Sequence, residues 1–320
     1  MFKVEKRLVV ALGGNAISAP DKQGTIDEQF AQVSQTAEVL CDAIERGYQL
    51  IVTHGNGPQV GNILRRVEIA RSELYPIPLE VCVADTQAGM GYMIAQCLSN
   101  VMNQRNLVCD VTAVVTTVLV DPEDKAFQNA DKAIGPGMTE AQAESHRTRD
   151  GWQIRDEGNG RFRRVVPSPL PRKIIETPAI EQLVEAGQIV VCCGGGGIPV
   201  AVDTLGRVRG VAAVIDKDRT TALLARRLKS PMLVILTAVE YACVNFRKPD
   251  ERRLEQITAD EAEVFLNAGQ FGAGSMRPKI EAAIDFVRNS PHAEPVAIIA
   301  HADKFADALD GKSGTRIVRS

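Results

Sequence analysis

The sequence is poor in side chains arranged to hold a metal. Its seven cysteines are odd in number and show no CxxC spacing, and its four histidines show no metal-ligand spacing. No histidine accompanies a recognisable nucleophile elbow. The pattern argues against a disulfide framework, a zinc site and Ser-His catalysis, and it is typical of reduced, mostly buried thiols. We therefore expect no metal bound by protein ligands.

Long hydrophobic runs and an excess of one charge are also missing. The apolar run before Gly13 is too short for a signal-peptide core or a membrane span, which predicts a cytoplasmic protein. With 37 basic and 40 acidic residues the net charge is −3, so no broad positive field attracts nucleic acid or anionic lipid. The 320 residues, 45% of them hydrophobic, suffice for the large core of a packed enzyme.

The common nucleotide-binding motifs are absent as well. Gly311-Lys312-Ser313 is not a P-loop, because Ala306 stands where its first glycine is needed. The GxGxxG pattern fails, since Val60 and Val200 occupy the place of the third glycine, and no DFG triad occurs. These absences exclude a Walker NTPase, a typical dehydrogenase and a protein kinase.

What the chain does contain is an alternation of strand-like and helix-like segments. Strands are predicted at Leu8–Leu12, Leu50–Thr53, Thr112–Val120, Ile189–Cys193, Met232–Thr237 and Val296–Ala300. Helices are predicted at Ile26–Arg46, Gln59–Arg71, Val81–Gln104, Ala179–Ala186, Thr220–Leu228, Ala259–Asn267 and Lys279–Asn289. Apolar strands joined by helices predict an α/β fold, a three-layer α/β/α sandwich around a central, mainly parallel sheet.

Residues 121–171 interrupt this alternation. The stretch is polar and rich in Gly, Pro and Arg, and it is long for a loop within one compact domain. Residues 152–166 are predicted to form a hairpin that turns at Gly158-Asn159-Gly160. We interpret 121–171 as a small protruding subdomain inserted in a single domain, with a disordered linker as the alternative.

Three glycine-rich loops follow predicted strands. They are Gly13–Ala16, His54–Gln59 and Gly194–Gly197. Glycine lets backbone N–H groups approach an anion closely, and the second loop also opens a helix, with Asn56 or Gly57 as N-cap and Pro58 at its first position. For the four consecutive glycines a plain flexible turn is the alternative.

Two lysines stand at predicted helix starts. Lys217 lies in Ile215-Asp216-Lys217-Asp218, where either aspartate can be the N-cap, and Lys279 follows the loop that begins at Gly272, with Ser275 as candidate N-cap. A cation there opposes the helix dipole by a few tenths to ~1 kcal/mol, which an anionic ligand would offset. Beside glycine loops, the two lysines indicate a phosphate site. For either one alone, a solvated surface lysine is the alternative.

Six motifs together closely resemble those of the carbamate kinases in the amino-acid kinase superfamily. They are ALGGNA at 11–16, HGNGPQVG at 54–61, GGGGIPV at 194–200, VIDKD at 214–218, LTAVE at 236–240 and GSMRPK at 274–279. The resemblance extends from about Leu8 to Val318 and includes the insertion. It implies reversible phosphoryl transfer between ATP and carbamate, giving ADP and carbamoyl phosphate, with Mg²⁺ carried by the nucleotide phosphates. It also implies that cells use the reaction to make ATP in the catabolism of arginine or related ureido compounds.

The resemblance assigns roles to particular positions. Lys217 and Lys279 would span the nucleotide phosphates, Asp218 would orient both lysines, and Lys132 would reach over the site from the insertion. The carbamate and the transferred phosphoryl group would bind at Gly13, Gly14, Asn15, Gly55, Asn56, Gly57, Gly195 and Gly196. The nucleotide would bind at Thr237, Ala238, Val239, Tyr241, Asn245, Gly274, Ser275 and Met276.

Some readings stay open at this point. The resemblance implies a homodimer, and the apolar helix 81–98 is either its interface or a buried core helix. One alternative function is a kinase of the same fold that acts on another carboxylate-like acceptor. Substrate screening would distinguish it from a carbamate kinase. A silent nucleotide-binding or carbamoyl-phosphate-sensing protein is another, against which the presence of all three lysines argues.

Overall fold

A computed structural model describes residues 4–18, 24–272 and 274–320, with the backbone alone for Val4 and Asn15. The strands are β1 (Arg7–Leu12), β2 (Gln49–His54), β3 (Val111–Ala113), β4 (Thr117–Val120), β5 (Lys132–Met138), β6 (Ile154–Gly158), β7 (Arg161–Val166), β8 (Pro171–Ile174), β9 (Ile189–Val191), β10 (Ile198–Val202), β11 (Val208–Gly210), β12 (Met232–Thr237), β13 (Ala242–Val244), β14 (Arg252–Leu254), β15 (Gln256–Thr258), β16 (Val296–His301) and β17 (Thr315–Val318). The helices are α1 (Ile26–Glu45), α2 (Gly57–Ala70), α3 (Leu79–Gln104), α4 (Glu140–Asp150), α5 (Thr177–Glu185), α6 (Lys217–Arg227), α7 (Ala259–Asn267), α8 (Met276–Asn289) and α9 (Phe305–Leu309).

The central sheet has eight strands in the order β15-β17-β16-β12-β1-β2-β9-β3. All neighbours are parallel except β16 and β17. The predicted mainly parallel sheet is thus confirmed. Since parallel strands share one carboxyl edge, the loops after β1, β2, β9, β12 and β16 all emerge on the same side.

The sheet is covered on both faces. Along β1, Val9 and Ala11 belong to one apolar cluster, while Leu8 and Val10 belong to a second cluster on the opposite face. All four side chains are fully buried. Successive side chains of a strand point to opposite faces of the sheet, so a strand in the middle layer of a three-layer fold contributes alternately to two cores.

The predicted strand Thr112–Val120 is wrong as a single element. Residues 111–113 pair with β9 in the central sheet, whereas residues 117–120 pair with β8 and β10 in a separate four-stranded sheet, ordered β11-β10-β4-β8. Between them the buried Thr116 donates a hydrogen bond from its hydroxyl to the carbonyl of Val114, 2.9 Å away. The apolar run is continuous in sequence, but the chain changes sheets within it.

The inserted region contains a three-stranded sheet, β5-β7-β6, and helix α4. The predicted hairpin is confirmed, with β6 and β7 antiparallel and positive φ at Gly158, Asn159 and Gly160. Ile134 and Val166 of this sheet share an apolar cluster with Val60 of α2 and Val83 of α3. The insertion is therefore packed against the helices that follow β2.

The described cysteines are free thiols, most of them buried, as the sequence predicts. Among the described helices, none combines the length and the apolar character needed to cross a membrane.

Candidate active site

A cleft of about 850 Å³ lies over the carboxyl edge of the central sheet. It is lined by the loops after β1, β2, β9 and β12, by the start of α6 and by the start of β5. Crevices at this edge are the usual ligand sites of open α/β sheets. The fold therefore gathers at one place the glycine loops and lysines that are far apart in sequence.

The centre of the cleft wall is an ion triad. The carboxylate of Asp218 accepts a hydrogen bond from the ammonium of Lys217 on one oxygen and from that of Lys279, at 2.8 Å, on the other. All three side chains are at least 86% buried by area, with exposures of 12%, 5% and 14% for Lys217, Asp218 and Lys279. The triad has a net positive charge, because one carboxylate is shared by two ammonium groups.

The triad perturbs its own proton equilibria. Burial lowers the pKa of Lys217, and Asp218 opposes that shift. Burial by itself would raise the pKa of Asp218, but the two ammonium groups outweigh it and hold the pKa below its usual range. The carboxylate is therefore ionised at neutral pH, and it is the group that keeps two like charges close together.

A second ion pair joins the insertion to the body. Lys132, at the start of β5, donates a hydrogen bond to Oδ2 of Asp216 at 3.0 Å. The other oxygen of Asp216 caps α6 by accepting from the backbone N–H groups of Asp218 and Arg219. Asp216 thus fixes the helix start that carries Lys217 and Asp218, and also the lysine that reaches over the cleft.

The third glycine loop has an unusual backbone. Cys193, Gly195, Gly196 and Gly197 all have positive φ, from 53° to 92°. A Cβ on Gly195 would lie 2.3–2.4 Å from the side-chain amide of Asn56, so only glycine fits against it. The N–H groups of Gly196 and Gly197 donate to the carbonyls of Cys193 and Gly194, each at 3.0 Å, so this loop is a tight hydrogen-bonded turn rather than a plain flexible one.

Two buried side chains support the second glycine loop. Asn56 donates from Nδ2 to the hydroxyl of Thr86, 2.9 Å away on α3. His54, at the end of β2, is fully buried with Nδ1 3.0 Å from the carbonyl of Gly55. Burial lowers the pKa of His54 to about 4, so it is neutral at physiological pH.

Most residues singled out from the sequence line this one cleft. They are Gly13, Gly14, Gly55, Asn56, Gly57, Lys132, Gly195, Lys217, Asp218, Thr237, Ala238, Gly274, Ser275 and Lys279. Gly196 packs behind it, against the carbonyl of Ile215. The side chain of Asn15 lies outside the described residues. Val239, Tyr241, Asn245 and Met276 are not among the described residues that line the cleft.

The sequence reasoning missed several residues of the cleft wall. His301, the last residue of β16, and Asp303, just after it, line the cleft, and so do Gln32 and Gln35 of α1. The signal for His301 was its place directly after a predicted strand, which pairs with β12. The glutamines carried no such signal, because only packing turns that face of α1 toward the site.

The helix caps also differ from expectation. Asn56 and Ser275 occupy the N-cap positions of α2 and α8, but neither side chain makes a capping hydrogen bond to its helix. Gly57 is the first residue of α2, and Pro58 is the second rather than the first. No side chain therefore caps either helix start, although at α8 the N–H of Arg277 donates to the carbonyl of Gly272 at 3.1 Å.

Comparison with known proteins gives a consistent result. The Amino acid kinase family profile matches residues 6–300. Carbamate kinase of Thermococcus kodakarensis is 43% identical over 98% of this chain and 99% of its own length, and carbamate kinase 1 of Enterococcus faecium is 44% identical over 98% and 97%. The structure of carbamate kinase from Giardia lamblia bound to AMP-PNP superposes with a TM-score of 0.92, at 40% identity, and covers 98% of both chains.

Proposed function

The chain belongs to the carbamate kinases of the amino acid kinase family, and from this premise we propose how its residues carry out phosphoryl transfer between ATP and carbamate. The observation that carries the proposal is the buried triad Lys217–Asp218–Lys279, beside glycine loops on one cleft wall. A polyanion is the ligand that such a wall favours.

The reaction in the ATP-forming direction is a direct displacement. An oxygen of the ADP β-phosphate forms a bond to the phosphorus of carbamoyl phosphate, the bond from that phosphorus to the carbamate oxygen breaks, and carbamate leaves as an anion. No proton moves in this step, so no general base is needed. Charge spreads over the equatorial oxygens of the transferred group, and catalysis is mainly positioning and cationic stabilisation.

We assign the cationic stabilisation to the three lysines. Lys217 and Lys279, held apart by Asp218, would face the phosphate oxygens of the nucleotide and the transferred group. Lys132 would approach from the insertion, and Asp216 sets its position. This makes the inserted segment 121–171 a lid whose closure completes the site.

We assign the glycine loops to the acceptor and the phosphoryl group. Gly13, Gly14, Asn15, Gly55, Asn56, Gly57, Gly195 and Gly196 form this set. The N–H of Gly195 has no acceptor among the described residues and is the donor we assign in the third loop, whereas the N–H groups of Gly55 and Gly196 already donate to the carbonyls of Leu12 and Cys193. On the nucleotide side, Thr237, Ala238, Gly274 and Ser275 line the cleft, and we place Val239, Tyr241, Asn245 and Met276 beyond it, toward the base and ribose.

The donor set of the cleft fits a Mg²⁺ ion carried by the nucleotide. Both oxygens of Asp218 are engaged by lysines, and those of Asp216 by Lys132 and the α6 backbone. Among the described residues the wall thus offers few free carboxylate oxygens, which suits a cation held mainly by phosphates. When bound, Mg²⁺ supplies charge neutralisation between the phosphates.

We also propose a homodimer built on α3. Strand β3 is an edge of the central sheet, and Tyr92 and Val115 beside it are 60% and 50% exposed. A second copy would cover this apolar edge, as edge strands generally require. We place the reaction in the cytoplasm, making ATP from carbamoyl phosphate in the catabolism of arginine or a related ureido compound.

The test is a coupled assay of ATP formation from ADP, Mg²⁺ and carbamoyl phosphate. Lys217→Ala is expected to lower kcat by about a hundredfold or more, as loss of one transition-state contact does elsewhere. The control is Lys312→Ala, which removes a 70% exposed lysine from the false P-loop. Carbamate would be overturned as the substrate if the folded wild type formed no ATP from carbamoyl phosphate but phosphorylated another carboxylate-like acceptor. Near-normal turnover of Lys217→Ala would remove Lys217 from the mechanism.

A further inference from the structure

A glutamine outside the cleft holds the third glycine loop. Gln87 lies on α3 and is 3% exposed. Its Nε2 donates to the carbonyl of Gly194 at 3.1 Å and to the carbonyl of Thr116 at 3.2 Å, and its Oε1 accepts from the backbone N–H of Thr116. Every polar atom of the side-chain amide is therefore engaged by backbone.

The same network reaches the residue before the loop. The hydroxyl of Thr116 accepts from the N–H of Cys193 at 3.1 Å. Cys193 has a φ of 53°, a conformation that non-glycine residues adopt only when their surroundings enforce it. Thr116 holds the peptide before Cys193 and Gln87 holds the peptide after Gly194, so the two together fix the backbone at both ends of Cys193-Gly194.

The bond to Gly194 determines where the next N–H points. A trans peptide is planar, so the carbonyl of Gly194 and the N–H of Gly195 point in opposite directions. Gln87, which does not line the cleft, and the N–H of Gly197, at 3.0 Å, both donate to that carbonyl. The N–H of Gly195, a residue of the cleft wall, has no acceptor among the described residues, and it points opposite to a carbonyl that is held from outside the cleft.

We propose that Gln87 is a positioning residue for phosphoryl transfer, which aims the N–H of Gly195 at the transferred group by holding the carbonyl of Gly194. The inference rests on the proposed function. Gln87 touches no substrate and acts only through the peptide. Its loss therefore weakens transition-state binding more than nucleotide binding.

The matched control is another buried glutamine. Gln49, 2% exposed at the amino end of β2, also donates from Nε2 to two backbone carbonyls, those of Val184 and Gln188, but lies at the opposite edge of the sheet from the cleft. Gln87→Met and Gln49→Met therefore remove comparable buried hydrogen bonds. Only the first of them changes the glycine loop.

The experiment measures kcat, KM for ADP, and affinities for ADP–aluminium fluoride and for AMP-PNP. For Gln87→Met we expect kcat and the affinity for ADP–aluminium fluoride to fall about tenfold or more, while KM and the affinity for AMP-PNP change by less than about threefold. Gln49→Met keeps wild-type kinetics. Should Gln87→Met not fold, Gln87→Asn keeps the amide but retracts it by one methylene, and a smaller loss of the same kind is expected.

Equal kinetics of the Gln87 and Gln49 variants would overturn the inference, as would a parallel loss of kcat and nucleotide affinity in the Gln87 variant. An inactive wild type is a different outcome, because it contradicts the proposed function itself.

Discussion

Asp218 accepts a hydrogen bond from Lys279 at 2.8 Å although 61 residues separate them in the chain. The carboxylate also binds its neighbour Lys217, and the starts of α6 and α8 meet through it. Two cations that each oppose a helix dipole are thereby stabilised by one anion. The ion pair of Asp218 and Lys279 joins two helix starts and also balances charge, and substitutions can separate these two roles.

Asp218→Asn is expected to lower kcat by about a hundredfold or more, because the amide preserves the shape but leaves two ammonium groups without their counter-charge. The pKa of Lys217, already lowered by burial, falls further when the raising effect of Asp218 is lost. The alkaline limb of the kcat–pH profile should therefore move to lower pH. Asp203→Asn is the control, since Asp203 also holds two cations, Arg207 and Arg209, each at 2.9 Å, but on the surface. An unshifted profile for Asp218→Asn would show that Asp218 does not tune Lys217.

Stability should fall as pH drops from about 6.5 toward 4. In the folded protein the pKa of His54 is lowered to about 4, while the unfolded chain has the ordinary value near 6.5, so in this window the unfolded state binds the extra proton. The lost free energy of unfolding between pH 7 and 4.5 is about 2 kcal/mol from this group. Urea unfolding at several pH values measures it. His54→Gln should flatten the dependence of the unfolding free energy on pH; an equal dependence in the wild type and in this variant would contradict the assignment.

Gly194→Ala is expected to damage both fold and activity, since the new Cβ would lie 2.3 Å from Nε2 of His54 and 2.9 Å from Cγ of Gln87. The loop must move, and its N–H groups move with it. We expect a kcat loss of about tenfold or more, with a lower Tm. Adding His54→Ala removes the closest clash and should restore part of both. A double variant no better than the single one would mean that the contact with His54 is not the cause.

Tyr92→Asp should convert the proposed dimer to monomer, because it places a charge on the apolar edge beside β3. Light scattering coupled to size exclusion measures the mass directly. Val264→Asp, at a 66% exposed position on α7, is the control for a charge placed on an exposed apolar residue. A wild-type protein that is already monomeric, or a Tyr92→Asp variant that remains dimeric, would remove this face from the assembly.

The sequence determined the α/β class and the main strands and helices by itself. Continuous apolar strands such as β1 and β12 produce an unambiguous local signal, because both their faces are buried. Glycine loops and lysines at helix starts are also local sequence signals. The residues of the candidate site could therefore be predicted from the sequence, although their spatial arrangement could not. The hairpin at Gly158-Asn159-Gly160 was predictable because its turn chemistry lies within three residues.

Only the tertiary structure decided which of these residues contact one another. The change of sheets within residues 111–120 depends on partners far along the chain, in β9 and β10. That Asp218 bridges two lysines, that Lys132 meets Asp216 and that Gln87 holds Gly194 likewise depend on how distant elements pack. Periodicity reports which face of an element is apolar, whereas hydrogen bonds between elements arise only when the sheet brings their ends together.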